Sequence, residues 1–309
     1  MKNDSLPSGL VSVVIPTFNQ ANFLREALDS LTQQTHKEWE ALVVNNFSTD
    51  NTIDVVNSYG DQRMRIINFS NDGIIARSRN LGISLAQGVA VAFLDSDDLW
   101  EKQKLERSFD LLNAGFDLVC HAERWFGSGM PDRVVRYGPQ ERANYESLLF
   151  RGNCISTSAT TVRRSVLETL GGFRDNKAFV TTEDYDLWLR IAKAGYAIGF
   201  CDEVLGSFRR HSSSASSATL NHLRAEISVI DDHLKSSQAS GKWRRSQRVS
   251  IAYYSAGRSF TRSGSIWKGV RIFAAAIGLN PISWRPWVGF AVHLIIAPTV
   301  RLRSSKNEP

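Results

Sequence analysis

Asp95-Ser96-Asp97-Asp98 sets three carboxylates within four positions, directly after the apolar run Val89-Ala90-Val91-Ala92-Phe93-Leu94. Like charges this close repel one another, apolar side chains cannot cover them, and a cation relieves the repulsion. Hard oxygen donors favour a divalent ion such as Mg²⁺ or Mn²⁺. The preceding run, with its β-branched valines, reads as a strand buried on both faces, and open α/β sheets bind ligands at the carboxyl ends of their strands. The rival reading is a solvated turn in which Asp98 caps a helix through Glu101-Lys102-Gln103-Lys104. A second acidic pair, Glu183-Asp184, follows Thr182 at the start of a helical stretch, where acids suit the positive helix end.

The elements that must position these groups follow from periodicity. Leu10 to Pro16 is a buried strand stopped by proline, and Thr17-Phe18-Asn19-Gln20 is a turn. Ala21 to Gln34 has apolar residues at helical spacing (Phe23, Leu24, Ala27, Leu28, Leu31). Trp39 to Val44 is a second strand, and the polar segment Asn45 to Asp50 after it caps a helix through Ile53, Val55 and Val56. Met64 to Phe69 is a third strand; Asn71-Asp72-Gly73 then turns into a helix, Ile74 to Gln87, ahead of the strand that carries the carboxylates. Such alternation predicts a doubly wound sheet with a parallel core and right-handed crossovers, its polar strand ends converging on one edge.

Beyond Trp100 the order changes. A helix from Glu101 to Asn113 leads to a strand, Phe116 to His121, and to a loose β-rich acceptor-side segment with Gly127, Gly129, Pro131, Gly138 and Pro139. Ser158 to Val162 reads as a strand, and Arg164 to Leu170 as a short helix closed by Gly171-Gly172. The Thr181–Arg190 stretch opens a further helix that Gly195 closes, with Asp186 and Arg190 as a structural i,i+4 pair. Tyr196 to Cys201 is a strand, and Phe208-Arg209-Arg210-His211 precedes a Ser-rich loop.

At 309 residues, 42% hydrophobic and 22% charged, the chain can bury a full core. Cys120, Cys154 and Cys201 fit neither a disulfide framework nor a zinc pattern. No dinucleotide glycine fingerprint follows the first strand and no Walker loop is present, which argues against NAD and P-loop chemistry. The stretch Met1 to Gly9 lacks the apolar core of a signal peptide, so a cytoplasmic protein is expected. Charge is uneven: of the net +6, residues 221–309 hold 14 Lys+Arg against 4 Asp+Glu, leaving 6 − 10 = −4 for the rest. Without a binding motif this basic tail does not predict nucleic acid. It reads as helices over His222–Leu234 and Trp243–Arg262, then as Ile266–Phe273 mixing bulky apolar and basic residues. Trp284-Arg285-Pro286-Trp287 introduces the apolar run Val288 to Val300, shorter than the ~20 residues that cross a bilayer. Trp and Arg at its ends suit a helix lying among lipid headgroups; an ordinary packed core helix is the alternative.

Val11-Ser12-Val13-Val14-Ile15-Pro16-Thr17-Phe18-Asn19, the Asn45–Asp50 turn, Asp95-Ser96-Asp97-Asp98 and Glu183-Asp184 recur in an order and spacing that resemble the family 2 inverting glycosyltransferases. The resemblance runs from residue 10 to about 215, continues in Arg209 and His211, and implies a GT-A doubly wound mixed sheet over residues 1–217. Residues 218–309 would then form a basic, Trp-containing helical extension. It implies transfer of a sugar from a nucleoside-diphosphate donor to a hydroxyl of a glycan or lipid-linked acceptor, as in bacterial lipopolysaccharide or exopolysaccharide assembly. Donor-nucleotide contacts fall to Pro16, Thr17, Phe18, Asn19, Asn46, Arg79, Asp95 and Ser96. Phe18 would lie beside the base, Asn46 would read it, and Asp95 would sit near the ribose. The family's usual aspartates are here Asn45 and Asn46, and an amide accepts from a uracil ring N–H without charge assistance. A UDP-sugar is favoured, with GDP- and dTDP-sugars open.

By the same resemblance Asp97, Asp98 and His211 would hold a divalent metal, Mn²⁺ or Mg²⁺, and Asp184 would be the base. A sugar hydroxyl needs one, because it is a poor nucleophile until its proton is taken. Arg209 and Glu183 are expected near phosphate or acceptor, and Arg79 beside the nucleotide; taken alone, Arg79 reads as a solvated helix arginine and Glu183-Asp184 as a helix start. The expected location is the cytoplasm, with the extension touching the inner membrane face. Two rivals share the sequence. A nucleotidyltransferase of similar fold would carry a Gly-rich, basic loop where Phe18-Asn19-Gln20 stands, and Asn45-Asn46 would suit a sugar-nucleotide-binding protein without transferase activity.

Overall fold

Through Phe93 the apolar runs and amphipathic helices alternate as β1 (Val11–Thr17), α1 (Ala21–Thr32), β2 (Trp39–Asn45), α2 (Thr52–Asn57), β3 (Met64–Asn68), α3 (Ile75–Leu85) and β4 (Ala90–Phe93). The four strands pair in parallel in the order β3-β2-β1-β4. β1, β2 and β4 are buried along their whole length, as continuous apolar runs with helices on both faces require. Pro16 is tolerated inside β1 because β4 pairs only with Val11 to Val14; the side its missing N–H would face has no strand left to bond. Gly82 lets α3 press onto β1, since a Cβ there would lie 2.4 Å from Val14 Cγ1. This computed structural model describes residues 9–127, 131–211, 219–235 and 241–304, with side chains through residue 295. The polar stretch before Gly9, Gly129 and the Ser-rich loop after His211 lie outside the described residues.

The chain continues as β5 (Leu99–Trp100), α4 (Lys104–Asn113), β6 (Leu118–Gly127), β7 (Arg133–Val135), α5 (Tyr145–Arg151), β8 (Thr160–Arg163), α6 (Arg164–Leu170), α7 (Glu183–Lys193) and β9 (Ile198–Arg210). β8 is antiparallel to both β4 and β6; β9 is parallel to β6 and antiparallel to β5. The sheet therefore reads β3-β2-β1-β4-β8-β6-β9-β5, with β7 beside β6: the mixed, doubly wound arrangement expected from the sequence. Two local expectations are corrected. No helix starts at Glu101 under an Asp98 cap; Leu99 and Trp100 are drawn into the sheet against Ser207 and Gly206, and α4 begins at Lys104. The strand expected to end at Cys201 runs on to Arg210, shifting register opposite His121–Glu123, and β6 extends beside it to Gly127. That extension carries Arg209 and His211 back to the acidic turn.

The chain divides into two units, Met1–Tyr145 with Cys154–Ser214, and Glu146–Asn153 with Ala215–Pro309. The second unit holds most of α5 and the helices α8 (Thr219–Lys235), α9 (Lys242–Arg262), α10 (Ile266–Leu279) and α11 (Trp284–Ser304). The Glu146–Asn153 segment, expected with the catalytic body, groups there because buried Arg248 of α9 donates to the Leu149 carbonyl at 2.7 Å and to Glu226 of α8 at 2.6 Å. Phe273 of α10 is fully buried. Gly257 of α9 and Gly289 of α11 close upon it, where an added Cβ would meet its ring at 2.6 and 2.9 Å. Among the described residues no helix is long and apolar enough to cross a membrane.

Candidate active site

The carboxyl ends of β1 and β2 are laced together by short polar side chains. The Asn19 amide N–H donates to Ser48 Oγ at 2.9 Å, and Asn19 Oδ1 accepts from the Thr49 amide at 2.8 Å. Asp50 Oδ2 accepts from the Ala21 amide at 2.9 Å, so the β2 loop caps α1. Asn45 is buried and committed, donating to Asn68 Oδ1 and accepting from the Ser48 amide. Asn46 is half-buried; its Oδ1 accepts from the Asn71 amide at 3.0 Å, which turns its Nδ2 the other way as a donor. The two asparagines therefore differ in role: one braces the turn, the other can offer N–H groups to a ligand. Phe18 and Phe47, 53% and 59% exposed, stand on these two loops.

Among the described residues the non-glycine positions with left-handed backbone are Asn19, Phe47, Asp72 and Thr181. Three follow β1, β2 and β3 in turn, and the fourth precedes α7. Such conformations cost about 1–3 kcal/mol each outside glycine and cluster where function imposes a shape.

In the acidic turn the carboxylates part company. Asp98 is buried, its Oδ1 accepting from the Arg209 amide at 2.8 Å. Burial, together with the charges of Asp97, Glu123 and Asp95, holds its carboxyl well above the usual carboxylate range. Asp97 Oδ2 lies 2.7 Å from His211 Nε2. Burial and then the Asp95 charge raise Asp97 too, against the pull of His211. Ser96 is buried and donates to Gln20 Oε1 at 2.5 Å. Arg209 is engaged on every side: Nε donates to the Asp97 carbonyl at 2.9 Å, Nη2 pairs with Glu26 at 2.6 Å, and the guanidinium sits 4.7 and 4.6 Å from the Phe23 and Phe126 ring centroids. It shapes the turn, rather than standing open to a phosphate.

Arg79 is not a solvated arginine. Only 3% exposed, it donates from Nη2 to Asp95 at 2.8 Å and from Nη1 to Glu183 at 2.6 Å. Burial works against its charge, but Asp95 and Glu183 hold its pKa above the ordinary value. Burial lifts Glu183 above the usual carboxylate range despite that partner. One cation thus bolts the acidic turn after β4 to the first turn of α7. The next residue, Asp184, is half-buried and accepts from Thr157 Oγ1 at 2.9 Å and from the Tyr185 amide at 2.7 Å. Asp186, fully buried, is clamped by Arg174 and Arg190, so the helix that presents Asp184 is itself anchored. Beneath the turn, burial pushes Glu123 up to about 7 against a hydrogen bond from Tyr137.

Among the described residues no three His, Cys, Asp or Glu side chains converge as a ready-made metal cage. Asp97 and His211 nevertheless offer an oxygen and a nitrogen donor side by side. Such a pair fits a cation that completes its shell with water and ligand phosphate. Asp98, expected as a third ligand, is sealed against Arg209. Sequence reasoning did not single out Phe47, Thr157 or Glu123; only Phe47, a large aromatic inside the polar turn Asn45–Asp50, left a signal in the sequence.

A half-parallel mixed α/β sheet with an acid-rich turn at its carboxyl edge, facing a helix that presents a second acid, defines a GT-A fold of the sugar-nucleotide type. The chain belongs to glycosyl transferase family 2, whose model matches residues 12–171. It is 32% identical over 225 residues to an uncharacterized glycosyltransferase of Rickettsia felis, a match covering 69% of this chain but only 36% of that protein. It is 29% identical over 231 residues to the UDP-Glc:alpha-D-GlcNAc-diphosphoundecaprenol beta-1,3-glucosyltransferase WfgD of Escherichia coli, covering 73% and 87% of the two chains. In fold it resembles the mannosyltransferase PcManGT of Pyrobaculum calidifontis, solved with GDP-Man and Mn²⁺, at TM-score 0.60 and 18% identity over 94% of this chain and 86% of that one.

Proposed function

We propose that this chain transfers a sugar from a nucleoside diphosphate to a hydroxyl of a lipid-linked glycan, with inversion at the anomeric carbon, during assembly of a bacterial surface polysaccharide. The observation that carries the reading is the Arg79 bridge, which ties the donor-side acid Asp95 to the helix turn bearing Asp184. As the acceptor oxygen attacks the anomeric carbon, its proton passes to Asp184. The carbon–oxygen bond to the diphosphate breaks, and the nucleoside diphosphate leaves with that electron pair. A base so placed contributes ~10²–10⁴ in rate. Asp97 and His211 would hold a divalent cation that, when bound, neutralises charge on the departing diphosphate.

Phe18 and Phe47 stack on or beside the base, and Asn46 donates to one of its carbonyl oxygens, an arrangement open to uracil and guanine alike, with UDP favoured. The acceptor class is supported by the name of the Escherichia coli relative, and a cytoplasmic location at the inner face of the membrane is part of the same proposal. The test is turnover of UDP-, GDP- and dTDP-sugars with Mn²⁺ and an acceptor analogue bearing N-acetylglucosaminyl diphosphate. The expected result is transfer from one donor class, and an Asp184→Asn variant that binds donor normally in calorimetry but turns over ~10²–10⁴ more slowly. Unchanged turnover in that variant removes Asp184 from the role. Donor binding without transfer to any acceptor, in the unaltered protein, would instead support the non-catalytic reading.

A further inference from the structure

Surface helices normally turn one apolar stripe inward and a polar face to water. α11 does not. On its inner side Pro286 is buried and Gly289 and His293 pack at Phe273; the His293 and Phe273 rings lie 5.7 Å apart. Its outer side carries Trp284, Trp287, Val288, Val292, Leu294 and Ile295, every one exposed, with Trp284 at 67% and Ile295 at 74%. Ile282, at 83%, extends the patch over the turn before the helix. A contiguous exposed apolar patch of this size marks a surface that something else covers.

Charge says what covers it. From His233 to Asn307 the sequence holds 13 Lys+Arg and not one Asp or Glu. Lys268, Arg271 and Arg285 are exposed on α10 and α11, and Trp267 is exposed beside Lys268. A second copy of the same face would bring cations against cations. An anionic lipid surface would receive apolar side chains among its acyl chains, tryptophans at headgroup level and cations against its phosphates.

We infer that the outer face of α11, which carries Arg285 and belongs to a unit that also exposes Lys268 and Arg271, is a docking surface for an anionic lipid bilayer, with the helix lying in the headgroup plane. The inference concerns the helical unit alone and does not depend on the transferase reading.

The test is co-sedimentation of the full chain with vesicles of phosphatidylcholine, pure or mixed with phosphatidylglycerol. Three proteins are compared: the unaltered chain, Trp284→Ser/Ile295→Ser, and Lys268→Glu/Arg271→Glu. Both pairs are exposed, and unchanged thermal melts confirm that the variants fold. The unaltered protein is expected to pellet with the mixed vesicles and far less with the neutral ones. Each double variant should weaken that partition by about tenfold or more, and added salt should weaken it further. The inference is overturned if the unaltered protein stays in the supernatant with anionic vesicles at low salt, or if the Ser/Ser variant binds as well as it does. A dimer in sedimentation velocity that the Ser/Ser variant converts to monomer would assign the face to a second copy, and would equally overturn it.

Discussion

Replacing Arg79 by Met removes one cation from between two carboxylates in unequal surroundings. The Asp95 side chain is 29% exposed and can recover water, whereas that of Glu183 is 7% exposed and cannot. The loss therefore falls mainly on Glu183, a buried carboxylate stripped of its partner, for which about 3–5 kcal/mol is usual. At about 2–4 °C per kcal/mol the melting temperature should fall by roughly 6–20 °C at neutral pH. The deficit must depend on pH. Burial already holds Glu183 above its ordinary range, and losing Arg79 raises it further. A carboxyl whose folded pKa is raised favours the folded state below its unfolded value and loses that contribution as pH climbs through the folded one. The Arg79→Met penalty should thus be smaller in acidic buffer, where protonation removes the stranded charge of Glu183, than in alkaline buffer, where that charge must persist. Adding Glu183→Gln should recover most of it at the higher pH. Thermal melts of the single and double variants at both pH values decide the matter. An equal loss at both, or no recovery from Glu183→Gln, refutes the assignment of the energy to that buried carboxylate.

Other outcomes are equally concrete. Exhaustive chelation should abolish turnover, and Asp97→Asn or His211→Ala should raise the Mn²⁺ concentration for half-maximal rate by about tenfold or more; Asp98→Asn should leave it unchanged, and equal shifts for all three would undo the division of labour in the turn. Glu123, lifted by burial from its ordinary 4.5 to about 7, should make the fold lose up to about 3 kcal/mol as pH rises through that interval. Glu123→Gln should flatten that decline in denaturant titrations, and an unaltered slope would show that Glu123 does not titrate there. Asn46→Ala should raise KM for the donor by about tenfold with kcat nearly constant, as loss of one hydrogen bond to the base implies; a fall in kcat alone would place Asn46 elsewhere.

The parallel half of the sheet was legible because its signals are local. β1, β2 and β4 are mostly apolar and buried along their length, and the polar loops after them stop each strand, so their shared edge follows from the alternation itself. The second half was less so. The sequence predicts a strand only over Tyr196–Cys201; β9 continues to Arg210 because the neighbouring stretch of β6 supplies its hydrogen bonds, which periodicity cannot register. Likewise Leu99-Trp100 belongs to the sheet through partners more than a hundred residues away.

By itself the sequence determined which chemistry was available: acids after an apolar strand, a second acidic pair at a helix start, asparagines where a base would be read, and a cationic, Trp-bearing tail. Burial and partner choice were decided only by tertiary structure. Asp97 and Asp98 are adjacent and chemically identical, yet one meets His211 and the other is sealed under the Arg209 amide. Asn45 and Asn46 divide in the same way, because neighbouring residues at a strand end point to opposite sides. Arg79 looks like any helix arginine until Gly82 lets α3 settle on β1 and two distant carboxylates close around it. The free energy of a charged or polar group depends on what surrounds it in space, and that surrounding is assembled from residues far apart in the chain.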